Sequence, residues 1–224
     1  MSGLDGAGPE EAPWVAVRAA PTCPRCFGPL HGPGAWSSAW RCDAHGDVLP
    51  YQPPRPPSAT ALEAMRKNSM VPVWLPWPLP SKWMVTGFAE VGDEHRGVRA
   101  SVVALSGPSF MHGPADLLIV AEEPGVGLGA AFAGLDGPDP GEGFDHGPPN
   151  AKIEVLGHPT PLWCVGAAAD RAVYAGEALG NWLWTIAWPS EAGCLIPLAE
   201  LSLLDLRDLD LDVPYGAFSP RLED

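Results

Sequence analysis

Two pairs of metal-binding residues constrain this chain of 224 residues more than any other feature. Cys23 and Cys26 are separated by two residues, and so are Cys42 and His45. Donors with this spacing can turn back on themselves and face one metal ion, and two such pairs complete a tetrahedral set. The spacing therefore predicts a structural Zn²⁺ site with three cysteines and one histidine. Because all four positions are filled by protein ligands, the predicted site has no position for a substrate.

The residues around the two pairs fit such a site. Gly28 follows the first pair and Gly46 follows the second, and glycine accepts the positive φ that tight ligand turns require. His31 is an alternative fourth ligand, although it breaks the symmetry of the pairs. Residues 21–52 are too few to build a core of their own, so the metal is expected to supply the folding free energy of this segment.

The charge of the chain limits the partners that it can have. There are 27 acidic and 13 basic residues, giving a formal net charge of −14. Binding to nucleic acid requires a basic face, so this balance argues against a nucleic-acid partner. The sequence has neither a basic segment followed by an apolar one at its start nor an apolar stretch of membrane length. We expect a cytoplasmic protein with no membrane contact, whose thiols are reduced.

Breaker residues and apolar periodicity predict the domain organisation. The 26 glycines and 28 prolines are separated by strong apolar runs, a pattern typical of short strands joined by turns. The predicted fold class is α+β, mainly antiparallel β, with a small zinc-ribbon-like N-terminal unit and one β-rich body. The predicted regions are a flexible tail (1–20), the zinc-ribbon-like unit (21–52, here called the head), a proline-rich linker with a short helix (53–72), the antiparallel β-rich body (73–213) and a C-terminal tail (214–224).

Local patterns predict individual elements. Thr60 and Glu63 form a potential capping box for a helix over Ala61–Lys67. In the segment that starts at Trp83, alternation of apolar residues predicts a strand with Trp83, Val85, Gly87, Ala89 and Val91 on one face. Further strands are predicted at Val98–Ala104, Asp116–Ala121, Lys152–Leu156, Leu162–Gly166, Arg171–Ala178 and Asn181–Trp188, and Leu198–Leu211 is expected to form a short helix leading into an edge segment.

A glycine-rich turn follows the predicted strand Asp116–Ala121. Gly125 and Gly127 match part of a dinucleotide-binding fingerprint, but too few residues follow for a helix that could hold a pyrophosphate. The turn is instead expected to lie beside a groove, with Glu122 and Glu123 at its lip. Adjacent residues on a strand point to opposite faces, so these two glutamates are not expected to act as an acid–base pair.

Several tryptophans are candidates for a binding cleft. They could line an aromatic groove for a small ligand or a proline-rich peptide, or they could fill the core of the sheet. The acidic loop Asp136–Asp145 lacks the spacing of a calcium site and is expected to be solvated. Cys164 has His158 nearby, but spacing alone does not establish a catalytic pair. The candidate ligand- or partner-binding residues are Trp74, Trp77, Glu122, Glu123, Gly125, Gly127, Trp182 and Trp184, and none is predicted to be catalytic.

The longer motifs resemble those of an actinobacterial family of uncharacterised proteins, over roughly residues 21–222. This resemblance implies a cytosolic bacterial protein with a zinc-ribbon head on a β-rich body, and it implies no activity. The motifs that carry it are Cys23–Cys26 with Cys42–Gly46, Val71–Pro80, Glu122–Ala130, Asp136–Gly141, Pro159–Trp163 and Gly180–Trp184.

Two hypotheses follow for the function. The first is a non-enzymatic, zinc-stabilised scaffold that binds another protein through the head and the Trp-Pro segment. The second is a sensor or enzyme that binds a small metabolite in a groove near Glu122–Gly129. A deep pocket with convergent polar groups would favour the second hypothesis, and an exposed apolar patch would favour the first.

Overall fold

The predicted fold class is confirmed by the computed structural model, which is mostly β with a small separate sheet at its N-terminal end. The structure describes residues 20–35, 37–110, 113–166, 168–209 and 211–223. The flexible tail predicted for residues 1–20 therefore lies outside the described residues, apart from Ala20. Among the described residues, no helix is both long enough and apolar enough to span a bilayer.

The elements follow one another in a strand-rich order with three short α-helices among the described residues. The head contributes the hairpin β1 (Trp40–Cys42) and β2 (Gly46–Val48). The helices are α1 (Ala59–Asn68), α2 (Leu128–Ala133) and α3 (Leu195–Leu198). The remaining strands are β3 (Trp74–Pro76), β4 (Met84–Asp93), β5 (Gly97–Pro108), β6 (Pro114–Glu122), β7 (Ala151–Val155), β8 (His158–Cys164), β9 (Ala172–Ala178), β10 (Asn181–Trp188) and β11 (Ser202–Asp205), with 3-10 turns at Ser190–Cys194 and Pro220–Leu222.

Nine strands form one curled sheet in the order β3-β11-β7-β8-β9-β10-β6-β5-β4. β11 and β7 run parallel, and the other neighbouring strands of this order run antiparallel. The curl brings β3 at one edge against β5 and β6 near the other. The concave face is thereby closed largely by the sheet itself.

Alternating side chains divide the apolar residues into two cores, one on each face of the sheet. On β6, Leu117 and Ile119 face the concave inner core, while Leu118 and Val120 face the convex outer core. The inner core is completed by α1, β3 and β11, and the outer core by α2, the head and the C-terminal segment. The outer core positions the candidate site, because it is the surface on which the head rests.

The face predicted for the strand beginning at Trp83 is wrong for its first half. Val85 belongs to the inner core, whereas Ala89 and Val91 belong to the outer core. The pairing register between β4 and β5 shifts between Val85 and Gly87, which leaves Thr86 as an extra residue. Such a β-bulge exchanges the two faces of a strand, and strict alternation cannot predict it.

The predicted helix after the linker exists, but its predicted cap is wrong. α1 begins at Ala59, and the hydroxyl of Ser58 accepts a hydrogen bond from the backbone N–H of Ala61 at 3.1 Å. Thr60 lies inside the first turn and so is not the cap. A serine at the N-cap satisfies one of the N–H groups that have no partner within a helix.

The other predicted strands are present with small shifts, and β8 differs most. Asn181–Trp188 coincides with β10. β8 begins at His158 rather than Leu162, although Pro159 and Pro161 fall inside it. It pairs with β9 only through its last two residues, so its prolines lie where a missing N–H group is tolerated. Leu198–Leu211 also differs, because its strand β11 lies inside the sheet, between β3 and β7, and α3 ends at Leu198.

The segments predicted as the proline-rich linker and the C-terminal tail form backbone bridges with the body. Both lie along β4, whose outer edge would otherwise expose unpaired N–H and C=O groups. Leu222 is fully buried, and its carbonyl accepts a hydrogen bond from the Tyr51 hydroxyl at 2.8 Å. The backbone bridges that cover this edge are Tyr51–Val91, Arg55–Phe88 and Val85–Tyr215.

Candidate metal centre

The four predicted ligands converge in the head. One donor atom from each of Cys23, Cys26, Cys42 and His45 lies within 4.8 Å of all the others. His45 Nδ1 is 3.6 Å from the sulfurs of Cys23 and Cys42, and the sulfurs of Cys26 and Cys42 are 3.8 Å apart. The two sulfurs of a disulfide lie about 2.05 Å apart, and all three cysteines of the cluster are free thiols. This cluster could therefore hold one metal ion.

The alternative ligand His31 points elsewhere. Its Nε2 lies 3.0 Å from Oδ1 of Asp43, and both side chains are largely exposed. An exposed pair of this kind contributes little to stability. The cluster that could hold a metal ion therefore consists of the two predicted pairs and does not include His31.

The backbone of the first pair forms a tight turn. Phe27 N donates to Cys23 O at 2.8 Å, and Cys23 N donates to Gly28 O at 2.9 Å. We expected the positive φ of this turn at Gly28, but the structure has it at Phe27 (φ 53°). At the second pair the expectation is confirmed, because Gly46 has φ 68° where the β1–β2 hairpin turns.

The thiols differ in their readiness to ionise. Burial raises the pKa of Cys23 to about 12. Burial also opposes ionisation of Cys42, but the backbone N–H groups of Ala44 and His45 and the His45 ring lower the pKa of Cys42 to about 6. Metals bind thiolates, so Cys42 offers a ready ligand and a bound cation would have to deprotonate Cys23.

The first ligand pair also fastens the head to the body. Arg25, which lies between Cys23 and Cys26, reaches the glycine-rich turn after β6. Its Nε donates to Val126 O at 3.2 Å, and its Nη2 donates to Gly125 O. A Cβ atom added at Gly127 would lie 2.9 Å from Arg25 Cγ, so the absence of a side chain there lets Arg25 pack against the turn. The turn that we expected beside a groove is contacted by Arg25 of the head.

An aromatic cluster extends this contact into the outer core. Phe27 lies 5.6 Å from Tyr51 and 5.3 Å from Phe132 of α2, measured between ring centroids. Tyr51 and Phe132 are 6.2 Å apart in an edge-on arrangement. Because Phe27 immediately follows Cys26, the geometry of the turn between Cys23 and Gly28 and the packing of α2 are connected directly.

Glu122 lies completely buried beneath the same turn. Its carboxylate accepts hydrogen bonds from Leu128 N at 2.8 Å, Gly129 N at 3.2 Å and Trp184 Nε1 at 2.7 Å. Burial raises the pKa of Glu122 to about 7, although these three N–H donors act to lower it. We expected no helix after the turn, yet α2 is present. The backbone N–H groups of its first two residues, Leu128 and Gly129, have no acceptor within the helix, and both donate to the Glu122 carboxylate.

Neighbouring residues of the turn have separate roles. Oε1 of Glu123 accepts a hydrogen bond from Nη1 of Arg99 at 2.6 Å, whereas Glu122 is buried under the turn. The two adjacent glutamates thus have different surroundings, in keeping with the alternation of side chains along a strand. Asp139, from the acidic loop, accepts hydrogen bonds from Gly125 N at 2.9 Å and from Trp182 Nε1 at 2.6 Å. This carboxylate is therefore engaged by the protein and is not simply solvated.

The candidate tryptophans do not form one cleft. Trp74 is buried in the inner core and Trp77 packs against that core. Trp184 is buried in the outer core and Trp182 packs against it, on the opposite face of the sheet. Trp184 and Glu122 are in direct contact. The sequence did not predict this contact, because the two residues lie 62 positions apart.

The possible cysteine–histidine pair is not assembled. His158 and Cys164 stand at opposite ends of β8, which separates their Cα atoms by about 20 Å at the rise of an extended strand. Cys164 is exposed. Neither observation supports a nucleophile at this position.

The contact between α2 and Trp184 yields a prediction. Gly129 lies so close to the Trp184 indole that an added Cβ would overlap Cδ1 and Nε1 of the ring. Both partners are buried, so Gly129→Ala should lower the free energy of unfolding by about 2 kcal/mol. Gly166→Ala is the matched control, because no atom lies within 4 Å of its added Cβ. Equal denaturant midpoints for the two variants would contradict this packing.

Comparison with known proteins places the chain in a family. A model described as a family of unknown function, DUF6758, matches residues 17–222. The chain belongs to DUF6758. No curated protein matches the DUF6758 chain, and no solved structure matches it. The family description states no activity, so the function has to be inferred from the site itself.

Proposed function

We propose that Cys23, Cys26, Cys42 and His45 bind one structural Zn²⁺. Zinc bonds of about 2.3 Å to sulfur and about 2.0–2.1 Å to nitrogen place tetrahedral ligands about 3.8 Å apart for two sulfurs and about 3.6 Å apart for sulfur and nitrogen. In the head the sulfurs of Cys26 and Cys42 are 3.8 Å apart, His45 Nδ1 is 3.6 Å from the sulfurs of Cys23 and Cys42, and all four donor atoms lie within 4.8 Å of one another. This agreement carries the proposal.

The proposed role of the metal is to hold the head on the body. Arg25 and Phe27 lie within and directly after the first ligand pair, and both contact the body. A bound metal ion would fix the turn from which these side chains project. Zinc would thus stabilise both the head and the surface that it covers.

We propose that the whole chain is a non-enzymatic, cytoplasmic binding protein of actinobacterial origin, whose head presents a surface to another protein. The closed ligand set leaves no position for a substrate on the metal. Glu122, the most perturbed carboxyl group of the turn, is used to hold α2 and Trp184. The acidic charge again favours a partner other than nucleic acid.

Metal analysis tests the zinc proposal. Protein purified without added metal should contain about one zinc per chain, and the double variant Cys23→Ser/Cys42→Ser should contain almost none. Cys164→Ser/Cys194→Ser is the matched control, since neither thiol belongs to the cluster. Full occupancy in the first double variant, or a different metal in the purified protein, would refute the assignment.

The role of the head in protein binding requires a separate experiment. Tagged wild-type chain and tagged Cys23→Ser/Cys42→Ser chain are isolated from the source organism and their bound proteins identified by mass spectrometry. Proteins lost from the variant while the body stays folded would support binding through the head. An unchanged set of proteins would remove the head from the proposal and favour the small-metabolite alternative.

One cavity favours that alternative, at a different place from the glycine-rich turn. It has a volume of about 680 Å³, within the range of small-molecule sites, and Arg55 and Glu90 line it.

A further inference from the structure

Two neighbouring hairpins of the large sheet end in the same unusual turn. The turn of the β7–β8 hairpin is Leu156-Gly157, and that of the β9–β10 hairpin is Leu179-Gly180. The sequence Glu-x-Leu-Gly thus occurs at both hairpin tips. φ is positive at both residues of each turn, 49° and 80° in the first and 55° and 76° in the second. A two-residue hairpin turn of this conformation is a type I′ turn.

Leucine is a poor residue for the first position of such a turn. Type I′ turns favour asparagine or aspartate before the glycine, because most side chains are strained at positive φ. Both leucine side chains are also exposed, Leu156 to 41% and Leu179 to 62%. An exposed leucine at positive φ stabilises neither the core nor the turn. Strain of this kind at two adjacent tips therefore indicates a functional role for the leucines.

The two leucines lie on one surface of the molecule. β8 and β9 are neighbouring antiparallel strands, so the turn before β8 and the turn after β9 lie at the same end of the sheet. Strands are spaced about 4.8 Å apart, and the centres of the two hairpins are two strands apart, which places the tips about 10 Å from each other. We call the surface made by Leu156, Leu179 and the preceding Glu154 and Glu177 the leucine-tip surface.

Hydrogen bonds hold both tips in place. Leu156 N donates to Leu203 O of β11 at 3.0 Å. Gly180 N donates to Oε1 of Glu177 at 3.3 Å. A partner would therefore meet a preformed surface, and binding would cost little conformational entropy of the tips.

The charges beside the tips select the partner. Glu154 and Glu177 are exposed, and exposed Glu200 lies close to Glu154, whose N–H donates to Leu201 O. No ion pair among the described residues joins these three glutamates to a cation. Lys152 is the only lysine or arginine of the two hairpins, and it lies at the end of β7 away from the tip. A basic partner is therefore attracted, whereas a second copy of this acidic chain or an anionic lipid surface is repelled.

The separation of the tips suits a helix. Residues seven positions apart on an α-helix lie on one face and are about 10.5 Å apart. Residues on one face of an extended strand are about 7 Å or about 13 Å apart, which fits less well.

We propose that the leucine-tip surface binds a basic amphipathic helix of a partner protein. The apolar face of the helix lies on Leu156 and Leu179, and its lysine or arginine side chains lie beside Glu154 and Glu177. The surface contains no residue of the head. This inference therefore goes beyond the binding proposed for the head and does not depend on zinc.

Fluorescence anisotropy with the full chain at physiological salt tests the proposal with three labelled peptides of equal length. The first places leucine and lysine with the period of a helix, and the second places the same residues in strict alternation. The third has the order of the first, with glutamate in place of lysine. The first peptide should bind about tenfold more tightly than either of the others. Equal affinity for the second peptide would overturn the helix, and equal affinity for the third would overturn the basic partner.

Variants locate the binding surface. Leu156→Asn/Leu179→Asn removes both apolar tips and gives each turn a favoured residue, so its urea midpoint should rise while its affinity for the first peptide falls about tenfold. Met84→Gln is the matched control, because it removes an exposed apolar side chain at the opposite end of the sheet and should leave the affinity unchanged. Wild-type affinity in the double variant would refute the site, and a lower urea midpoint would refute the strain from which it was inferred.

Two further measurements distinguish this surface from the head and from other occupants. Cys23→Ser/Cys42→Ser should bind the first peptide as wild type does, and loss of binding there would assign the peptide to the head. Sedimentation of the chain alone and with vesicles of phosphatidylcholine and phosphatidylserine should show a monomer that does not bind lipid. A dimer or a vesicle complex that is lost in Leu156→Asn/Leu179→Asn would overturn the partner helix and assign the surface to a second copy or to a membrane.

Discussion

Removing the proposed Zn²⁺ is expected to unfold the head while the nine-stranded sheet remains folded. The apolar core of the head consists of Cys23, Cys42 and Val48, with Leu30 packed against them. So few side chains cannot hold a segment of about thirty residues, and structural zinc supplies on the order of 10 kcal/mol in isolated zinc peptides. Chelation, or Cys42→Ser, should therefore abolish the folded head.

Hydrogen exchange measures this effect at the level of segments. After chelation, amides of β1 and β2 should exchange at once, and protection should fall in α2 because Arg25 and Phe27 no longer hold the turn and Phe132. The central strands β6 and β10 should keep their protection. Readdition of zinc should restore the pattern, and Cys164→Ser is the control. Unchanged protection of β1 and β2 in metal-free protein would contradict a metal-dependent head.

Replacing Glu122 should have the next largest effect. Glu122→Leu leaves three buried N–H groups, on Leu128, Gly129 and Trp184, without their acceptor. Each buried donor left unpaired costs about 1–3 kcal/mol, so we expect a loss of about 4 kcal/mol in the free energy of unfolding. Glu122→Gln keeps one oxygen to accept from Gly129 and Trp184 and should lose less. Equal stability of wild type and Glu122→Leu in urea would contradict this network.

The pH dependence of stability provides a second measurement on Glu122. Its pKa is raised from 4.5 to about 7 by burial, so the folded chain binds this proton more tightly than the unfolded chain does. The stabilisation that the folded chain gains from binding this proton is fully present below the pKa that Glu122 has in the unfolded chain, and it is lost as pH rises through 7. Between pH 5.5 and 8 the wild-type free energy of unfolding, relative to that of Glu122→Gln, should fall by about 2 kcal/mol. A flat difference would mean that the three N–H donors keep Glu122 ionised throughout.

The Cys/His cluster was predictable because its signal is local. Two donors separated by two residues specify one turn, and only the meeting of two such turns had to be inferred. The body was predictable as mainly β for a similar reason, since apolar alternation in segments such as Asn181–Trp188 depends on one strand alone. The positive φ at Phe27 was missed, because a side chain of this kind rarely adopts it.

The errors occurred where distant segments decide the conformation. The alternating apolar residues of β4 were predicted to share one face, but the pairing of β4 with β5 has a bulge at Thr86. Residues 214–224 were predicted as a C-terminal tail, and the described residues 214–223 lie along β4. They are held because β4 is an edge strand that needs hydrogen-bond partners. A local signal was available there, since Ser219 followed by Pro220 is a helix-start pattern.

By itself, the sequence determined the four residues of the Cys/His cluster, the β-rich body and the acidic character of the chain, because these depend on neighbouring residues or on composition. The tertiary structure alone decided that Arg25 fastens the head to Gly125 and Val126, and that Glu122 holds α2 to Trp184. It also decided that Arg55 and Glu90 share a cavity wall. The physical reason is that hydrogen bonds and ion pairs between segments far apart in sequence depend on how the sheet curls, and no short pattern of residues encodes that curl.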